Sequence, residues 1–439
     1  MLLPKVLILN QPFVNNTGGG ITLSNLFSTW NREKLAVACS GYLLVRDMDP
    51  SVCNNYYQIG CEERKWIFPF NLFRRKYYSG SVKFTDRSKE NIVEKKSKFR
   101  VKLLVKHLYP VLDFLGFSHF ITRTHLSDGF CSWIDEFAPE VLYTQASRLE
   151  DILFCLEIKE YTGIPLIFHM MDDWPATLER SGILSNHWRN KTDEMLRVLM
   201  AKADVVMSIS DFMAAEYKRR YGKEFITFHN PIDLGFWKKD QRRDYQLRAS
   251  PTILYAGRIG RGIDDSLKTI ARALHIVNKK FNFKLRFVIQ SLEAPSWIND
   301  FEDVEHQVFV AYQDLPKVFA ETDFLILPYD FDEESIKFIK YSMPTKASEY
   351  MASGTPIIIF SPEDTALVRY AKEYGWASMV TENKVATLVE TISGLLYDED
   401  LRKNIAGKAK NLAESRHDAS IVSENFKSCI RQAVYKSEN

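Results

Sequence analysis

The chain has 439 residues, enough for two domains of ordinary size that each bury their own core. Apolar residues make up 46% and charged residues 26%, the balance of a soluble globular protein, and a formal charge of +2 argues against a dedicated nucleic-acid binder. The six cysteines are scattered, with no C-x-x-C pair and no histidine at zinc-finger spacing, so reduced cytosolic thiols are expected and a zinc site is not.

Met1 to Asn10 reads as a strand rather than a signal peptide, and no apolar run approaches a membrane span. The expectation is a cytoplasmic protein that meets a membrane only peripherally, on its inner face. The strand Lys5–Leu9 leads through Asn10-Gln11-Pro12 into Thr17-Gly18-Gly19-Gly20-Ile21 and a helix to about Trp30. Glycines there let the backbone approach a phosphate; a plain tight turn is the alternative. A dinucleotide fingerprint fails, because Leu23 stands where the third glycine belongs and the next strand ends in Cys39-Ser40 without an acid.

Asp47 and Asp49 follow a strand-like run and look like the Asp-x-Asp divalent-metal signature of GT-A enzymes. Too little chain precedes them for the fold that signature needs, so they read as a solvated turn. From Arg74 to Lys106 there are twelve Lys/Arg against three Asp/Glu, with Phe99, Leu103 and Leu104 on one helical stripe. That pattern suits contact with an anionic membrane surface or a phosphate-bearing acceptor through residues 74–106, or the charged face of an ordinary helix.

Strand-like runs at Val141–Tyr143, Leu166–Phe168, Val205–Met207 and Phe225–Phe228 alternate with helical stretches, which predicts a doubly wound parallel sheet. His169 ends one strand, where such sheets bind ligands, and could donate to a sugar hydroxyl or simply satisfy a backbone carbonyl. Ser210 caps the helix that follows. His229-Asn230-Pro231-Ile232-Asp233 closes the first half, and polar Lys238–Ser250 reads as the connection to a second. The second half opens with strand Thr252–Ala256 and Gly257-Arg258-Ile259-Gly260-Arg261-Gly262, where two guanidinium forks beside glycines form an anion site.

The most informative stretch runs from Tyr341 to Pro356. Pro344 suits a first helical turn, Gly354 closes the helix and Pro356 opens the strand Ile357–Phe360. A polar segment thus enters a helix N-terminus at the carboxyl edge of a parallel sheet, which suits a phosphate. Glu349, one turn further in, is placed for a pair of sugar hydroxyls. The stretch reads as a nucleoside-diphosphate site.

Taken together, the Gly18–Gly20 segment, His169, Ser210, Asn230 to Asp233, Gly257-Arg258 and Pro344 to Pro356 resemble the large retaining family of GT-B glycosyltransferases, the glycosyl transferases group 1 type of bacterial surface-glycan synthesis. The resemblance implies an α/β fold of two Rossmann-like doubly wound parallel-sheet domains facing across a cleft, with a C-terminal helix packing back on the first. The boundaries that follow are 1–235 for an acceptor domain with a basic, aromatic insertion at about 70–110, 236–415 for a nucleotide-sugar donor domain, and 416–439 for the returning helix. By position, Arg258 and Arg261 bind the diphosphate, Glu349 the ribose, and Thr345 with its neighbours Ser342, Pro344 and Lys346 the phosphate. Gly19 and Gly20 approach from the other domain, His169 touches the donor sugar and Tyr312 lies by the base. The family often has a glutamate eight positions before Glu349, where this chain has Tyr341.

The expected reaction is transfer of a sugar from a nucleoside-diphosphate sugar, of UDP or GDP type, to a glycan or lipid-linked acceptor with retention. Arg258, Arg261 and the helix N-terminus then stabilise the leaving phosphate, and no metal or tightly bound cofactor is required. Two alternatives are a nucleotide-sugar epimerase on the same fold and a catalytically silent partner subunit that binds nucleotide sugar or glycan.

Overall fold

Apolar runs of four or five residues that are buried on both faces become central parallel strands, and this chain is built around several of them. The computed structural model describes residues 3–14, 18–40, 51–68, 77–82, 99–177 and 182–438. Asp47, Asp49, Arg74–Lys76 and residues 83–98 lie outside the described residues. The chain divides into two compact units. One comprises Met1–Ile209, Ala214–Phe228 and Ser423–Asn439; the other comprises Ser210–Met213 and His229–Val422.

In the first unit the strands are β1 (Val6–Leu9), β2 (Leu35–Ser40), β3 (Asn55–Ile59), β4 (Arg64–Trp66), β5 (Gly80–Val82), β6 (Thr122–Thr124), β7 (Val141–Thr144), β8 (Leu166–Met170), β9 (Val205–Ser208) and β10 (Ile226–Thr227). Eight of them form one sheet in the order β10-β9-β8-β7-β1-β2-β3-β5, parallel throughout except that β5 runs against β3. The order reverses between β1 and β7, as in a doubly wound sheet. β4 and β6 pair separately as an antiparallel ribbon. Phe27 centres the core, its ring 5.8 Å from Phe13, 5.4 Å from Tyr143 and 5.0 Å from Phe426. Phe426 comes from the last helix, Ala419–Glu438, so the C-terminal residues are part of this core.

Gly18, Gly19 and Gly20 are not a loop ahead of a helix. They are the first turn of the helix Gly18–Phe27 itself. The first turn of any helix has N–H groups without intrahelical partners, so a helix can begin directly on the glycines and still present bare backbone.

The second unit holds β11 (Thr252–Ala256), β12 (Arg286–Gln290), β13 (Val304–Gln307), β14 (Phe324–Pro328), β15 (Ile357–Phe360) and β16 (Ser378–Val380). All six are parallel in the order β13-β12-β11-β14-β15-β16, with the reversal between β11 and β14. The helix Asp264–Phe281 buries Leu267, Ile270, Ala271, Leu274 and Val277, the three-and-four spacing of a face packed on a sheet. The polar stretch Lys238–Ser250 is not a free connection but belongs to this unit. Arg242 is buried there, donating to the carbonyls of Asp244, Gln246 and Thr322 and pairing with fully buried Asp323 at 3.3 Å. Asp323 also accepts from Thr252 N at 3.0 Å and Arg248 N at 3.3 Å. A buried carboxyl group left without donors is costly, and these bonds hold the polar segment down.

Candidate active site

The reversal between β11 and β14 places two segments at one sheet edge: the loop after β11, starting at Gly257, and the helix Lys346–Ser353 between β14 and β15. Local chemistry fixes the helix limits. Gly354 ends it in the left-handed region with φ 75°, a conformation that any residue with a Cβ adopts at a cost. At its other end Thr345 makes no side-chain cap, so the first N–H groups are not covered by it. Asn230 braces this end instead, its side-chain amide lying 3.4 Å from Thr345 O and 3.3 Å from Ser348 Oγ.

Lys346 lies back across the sheet edge. Its Nζ stands 4.2 Å from the centroid of the Tyr255 ring, a cation–π geometry, and has no hydrogen-bond or ion-pair partner among the described residues. Gly257 makes the space: a Cβ there would strike Lys346 Nζ and come within 2.8 Å of Tyr255 Oη. Burial pushes the Lys346 ammonium down to about 7, with Glu349 opposing and Arg258 adding to the fall. Burial likewise pushes the Glu349 carboxyl up to about 7, against the pull of Lys346 and the Tyr312 hydroxyl. Two groups of opposite charge, three residues apart on one helix, are therefore both poised to titrate near neutrality.

Arg258 is exposed, and one arm of its guanidinium donates to Arg261 O at 3.0 Å. The Tyr255 hydroxyl donates to Arg258 O and fixes the backbone beneath. Arg261 points elsewhere: its guanidinium pairs with Glu334 at 2.8 Å, both side chains more than half exposed. Such a surface pair is worth little and can open. Tyr312 has one ring face stacked on Phe236 at 5.3 Å and 5°, and is 57% exposed. Below it Trp237 stacks on Phe319 at 5.6 Å, and Phe319 meets Tyr350 edge-on at 5.0 Å. Tyr350 Oη then accepts from Ala256 N at 3.0 Å, so an aromatic column ties Tyr312 to β11. Ser342 turns its hydroxyl back to Phe338 O at 3.4 Å, and Pro344 forms the turn into the helix.

Arg258, Tyr312, Lys346 and Glu349 thus come together in the second unit, whereas Gly19, Gly20 and His169 belong to the first. His169 is fully buried, its Nδ1 2.7 Å from the Tyr143 hydroxyl. Burial lowers its pKa to about 3, which keeps the imidazole neutral. As placed it is a core side chain within β8, enclosed rather than presented to a sugar. Tyr341 is buried too, its ring 4.9 Å from Phe212 and its carbonyl accepting from Ser210 Oγ at 2.9 Å. Sequence reasoning gave no role to Tyr255 or Asn230. Asn230 stood out in the Asn-Pro-Ile-Asp run; Tyr255 had no local signal, since its part depends on a distant lysine.

Residues 250–398 match the family model for glycosyl transferases group 1. The second unit carries a glycosyl transferases group 1 domain. The whole chain has the GT-B fold, as three solved structures indicate. A glycosyltransferase from Rickettsia africae superposes with a TM-score of 0.62 at 10% identity, covering 98% of this chain and 99% of that one. Sucrose-phosphate synthase from Thermosynechococcus elongatus gives 0.61 at 11%, covering 98% of each chain. HepE of Anabaena in complex with UDP gives 0.59 at 12%, covering 98% of this chain and all of the other. A comparison with curated protein sequences finds no match. Among the described residues no helix is long and apolar enough to cross a membrane.

Proposed function

We propose that the protein transfers a glycosyl group from a nucleoside-diphosphate sugar to a hydroxyl of a glycan or lipid-linked acceptor, with retention, in the assembly of surface polysaccharide. The observation that carries the donor half is Lys346: a cation without a hydrogen-bond or ion-pair partner among the described residues, beside Arg258, at a helix N-terminus on the reversal point of a parallel sheet. Burying an ammonium in this way is costly unless an anion arrives to meet it. Arg258 and Lys346 flank the diphosphate in this reading, and the N–H groups around Thr345 complete its cradle. Glu349 takes the ribose hydroxyls and Tyr312 flanks the base. HepE, solved with UDP and with UDP-glucose, supports a uridine nucleotide as the first candidate.

Cleaving the donor's anomeric bond leaves charge on the outer phosphate, and preorganised cations stabilise it more than they stabilise the intact donor. Two side-chain cations and a helix dipole supply that charge in our proposal, so the reaction needs no metal; a rate unchanged by chelators is expected. Arg261 joins only if its pair with Glu334 opens, and His169 has no direct part. The deciding experiment is a thermal-shift series with UDP, GDP, dTDP and ADP on the wild type, Arg258→Ala and Glu349→Ala. One diphosphate should raise the wild-type Tm and lose most of that effect in both variants. Equal shifts in all three proteins would overturn the site. Buried Tyr341, where relatives often have an acid, favours a second reading as a nucleotide-sugar-binding subunit without transferase activity. Binding of UDP-sugar with neither hydrolysis nor transfer would decide for it.

A further inference from the structure

Wholly within the second unit lies a buried cluster built on two histidines that the nucleotide reading does not use. His229 is 4% exposed, His417 1% and Tyr370 5%. The His229 ring is 5.1 Å from each of the other two, which are themselves 5.9 Å apart. His417 has both ring nitrogens engaged: Nε2 lies 3.0 Å from the Tyr370 hydroxyl and Nδ1 3.4 Å from Asn230 O. A neutral imidazole suits these partners, accepting from the hydroxyl at Nε2 and donating to the carbonyl at Nδ1. Neither ring nitrogen of His229 has a hydrogen-bond partner among the described residues.

The charges around the pair oppose a further proton. Arg416 precedes His417 in the chain, and its guanidinium stands 5.8 Å from the Tyr370 ring. Asp211, at the start of the helix Asp211–Tyr221, is 3.7 Å from His229 Nε2, but Arg416 already holds it at 2.9 Å. The helix Ala366–Tyr374 adds Tyr370 and Tyr374, and Glu373 faces the Tyr374 hydroxyl, which also accepts from Arg416. Asp418 turns its carboxylate to Ser420. A proton on His417 would turn Nε2 into a donor facing the hydroxyl that donates to it, beside a second imidazole and a guanidinium. Burial, then His229, hold the His417 pKa well below the usual histidine value.

His417 ends a π-helical turn, Ala413–His417, and its carbonyl accepts from Ile232 N at 2.8 Å, while Ala419 N donates to Ile232 O at 2.9 Å. These bonds and the contact of His417 with Asn230 tie residues 230–232 to residues 417–419. Asn230 is also the residue whose side chain braces the start of the helix Lys346–Ser353. We infer that the histidine pair is an acid-released latch: neutral, it clamps Asn230 against that helix, and protonated, it lets the two segments part and withdraws the brace. The opening stands on the cluster alone, and its effect on a bound nucleotide rests on the function proposed above. The sign follows from where the proton can go. Once the segments part, His417 regains an ordinary histidine pKa, so the open form takes a proton that the closed form excludes. Opening therefore grows about tenfold for each pH unit below 6.5 and is suppressed above it.

The test is hydrogen–deuterium exchange of the full chain at about pH 7.5 and about pH 5.0, read by mass spectrometry and corrected for intrinsic rates. Peptides spanning residues 230–233, 345–348 and 417–420 should exchange about tenfold faster or more at the lower pH, while β14 and β15 stay protected. His417→Gln has no proton to gain, so its corrected exchange should not change with pH. Arg416→Gln serves as a second variant: it removes a cation and releases Asp211 toward His229, so the acid rise should shrink about threefold or more. No nucleotide enters the measurement, so a failure of the nucleotide reading leaves its outcome standing. No acid rise in the wild type, the wild-type rise in both variants, or an equal rise in β14 and β15 would overturn the inference.

Discussion

At the scale of single residues, the neighbourhood of Lys346 makes the sharpest prediction. A bound diphosphate favours the ammonium, so it raises the Lys346 pKa, and affinity falls as pH climbs above the free value of about 7. Ribose hydroxyls favour the Glu349 carboxylate, so they lower its pKa, and affinity falls as pH drops below its free value of about 7. Affinity for UDP should therefore peak near neutrality; calorimetry across the pH range would show it. Lys346→Met should flatten the alkaline limb and Glu349→Gln the acid one. Gly257→Ala adds a methyl group where Lys346 Nζ lies, and should cut nucleotide affinity at least tenfold while costing about 1–3 kcal/mol in stability. An unchanged affinity would mean that Lys346 has no fixed place in binding.

At the scale of elements, the helix Lys346–Ser353 was legible because its limits are local. Pro344 and Gly354 act through their own backbones, and no distant contact is needed to read them. The three-and-four spacing of the helix after β11 and the apolar runs of β14 and β15 were legible for the same reason. What stayed hidden is nonlocal. No pattern near Arg261 announces that Glu334 holds it, and nothing near His169 says that Tyr143 closes over it. The glycines at 18–20 misled in a narrower way, because glycine marks bare backbone equally well in a loop and in a first helical turn. The buried pair of Arg242 and Asp323 gives this scale its prediction. Asp323→Ala removes the acceptor of two backbone N–H groups and a guanidinium, and should lower the unfolding free energy by about 3–5 kcal/mol in urea titrations.

At the scale of the whole molecule, the sequence carried the two-unit α/β plan through its repeated alternation, while the chain's assignment to the units was not readable from composition. The last helix is the exception, since its return was expected: Phe426 sits among Phe27, Tyr143 and Phe228, residues spread along the first unit. The thiols offer a global probe of integrity. Cys39 and Cys155 are fully buried and burial raises both pKa values, so their thiolates are scarce; Cys53 is likewise pushed up to about 12. In the native protein Cys61 and Cys131, the two of intermediate exposure, should alkylate first. Peptide mapping should find Cys39, Cys53 and Cys155 modified only under conditions that unfold the first unit.

The Arg242 knot also bears on how the molecule can be cut. The stretch that matches the family model, residues 250–398, omits Arg242 on one side and Arg402 on the other. Arg402, itself buried, donates to the carbonyls of Tyr245, Leu395 and Leu396. A fragment trimmed to the family match would leave Asp323 without Arg242 and the carbonyls of Leu395 and Leu396 without Arg402, so it should emerge insoluble. One spanning His229–Val422 keeps both arginines with their acceptors. The recognisable stretch of such a chain and its smallest self-sufficient piece are different lengths, and the difference is set by two buried guanidinium groups.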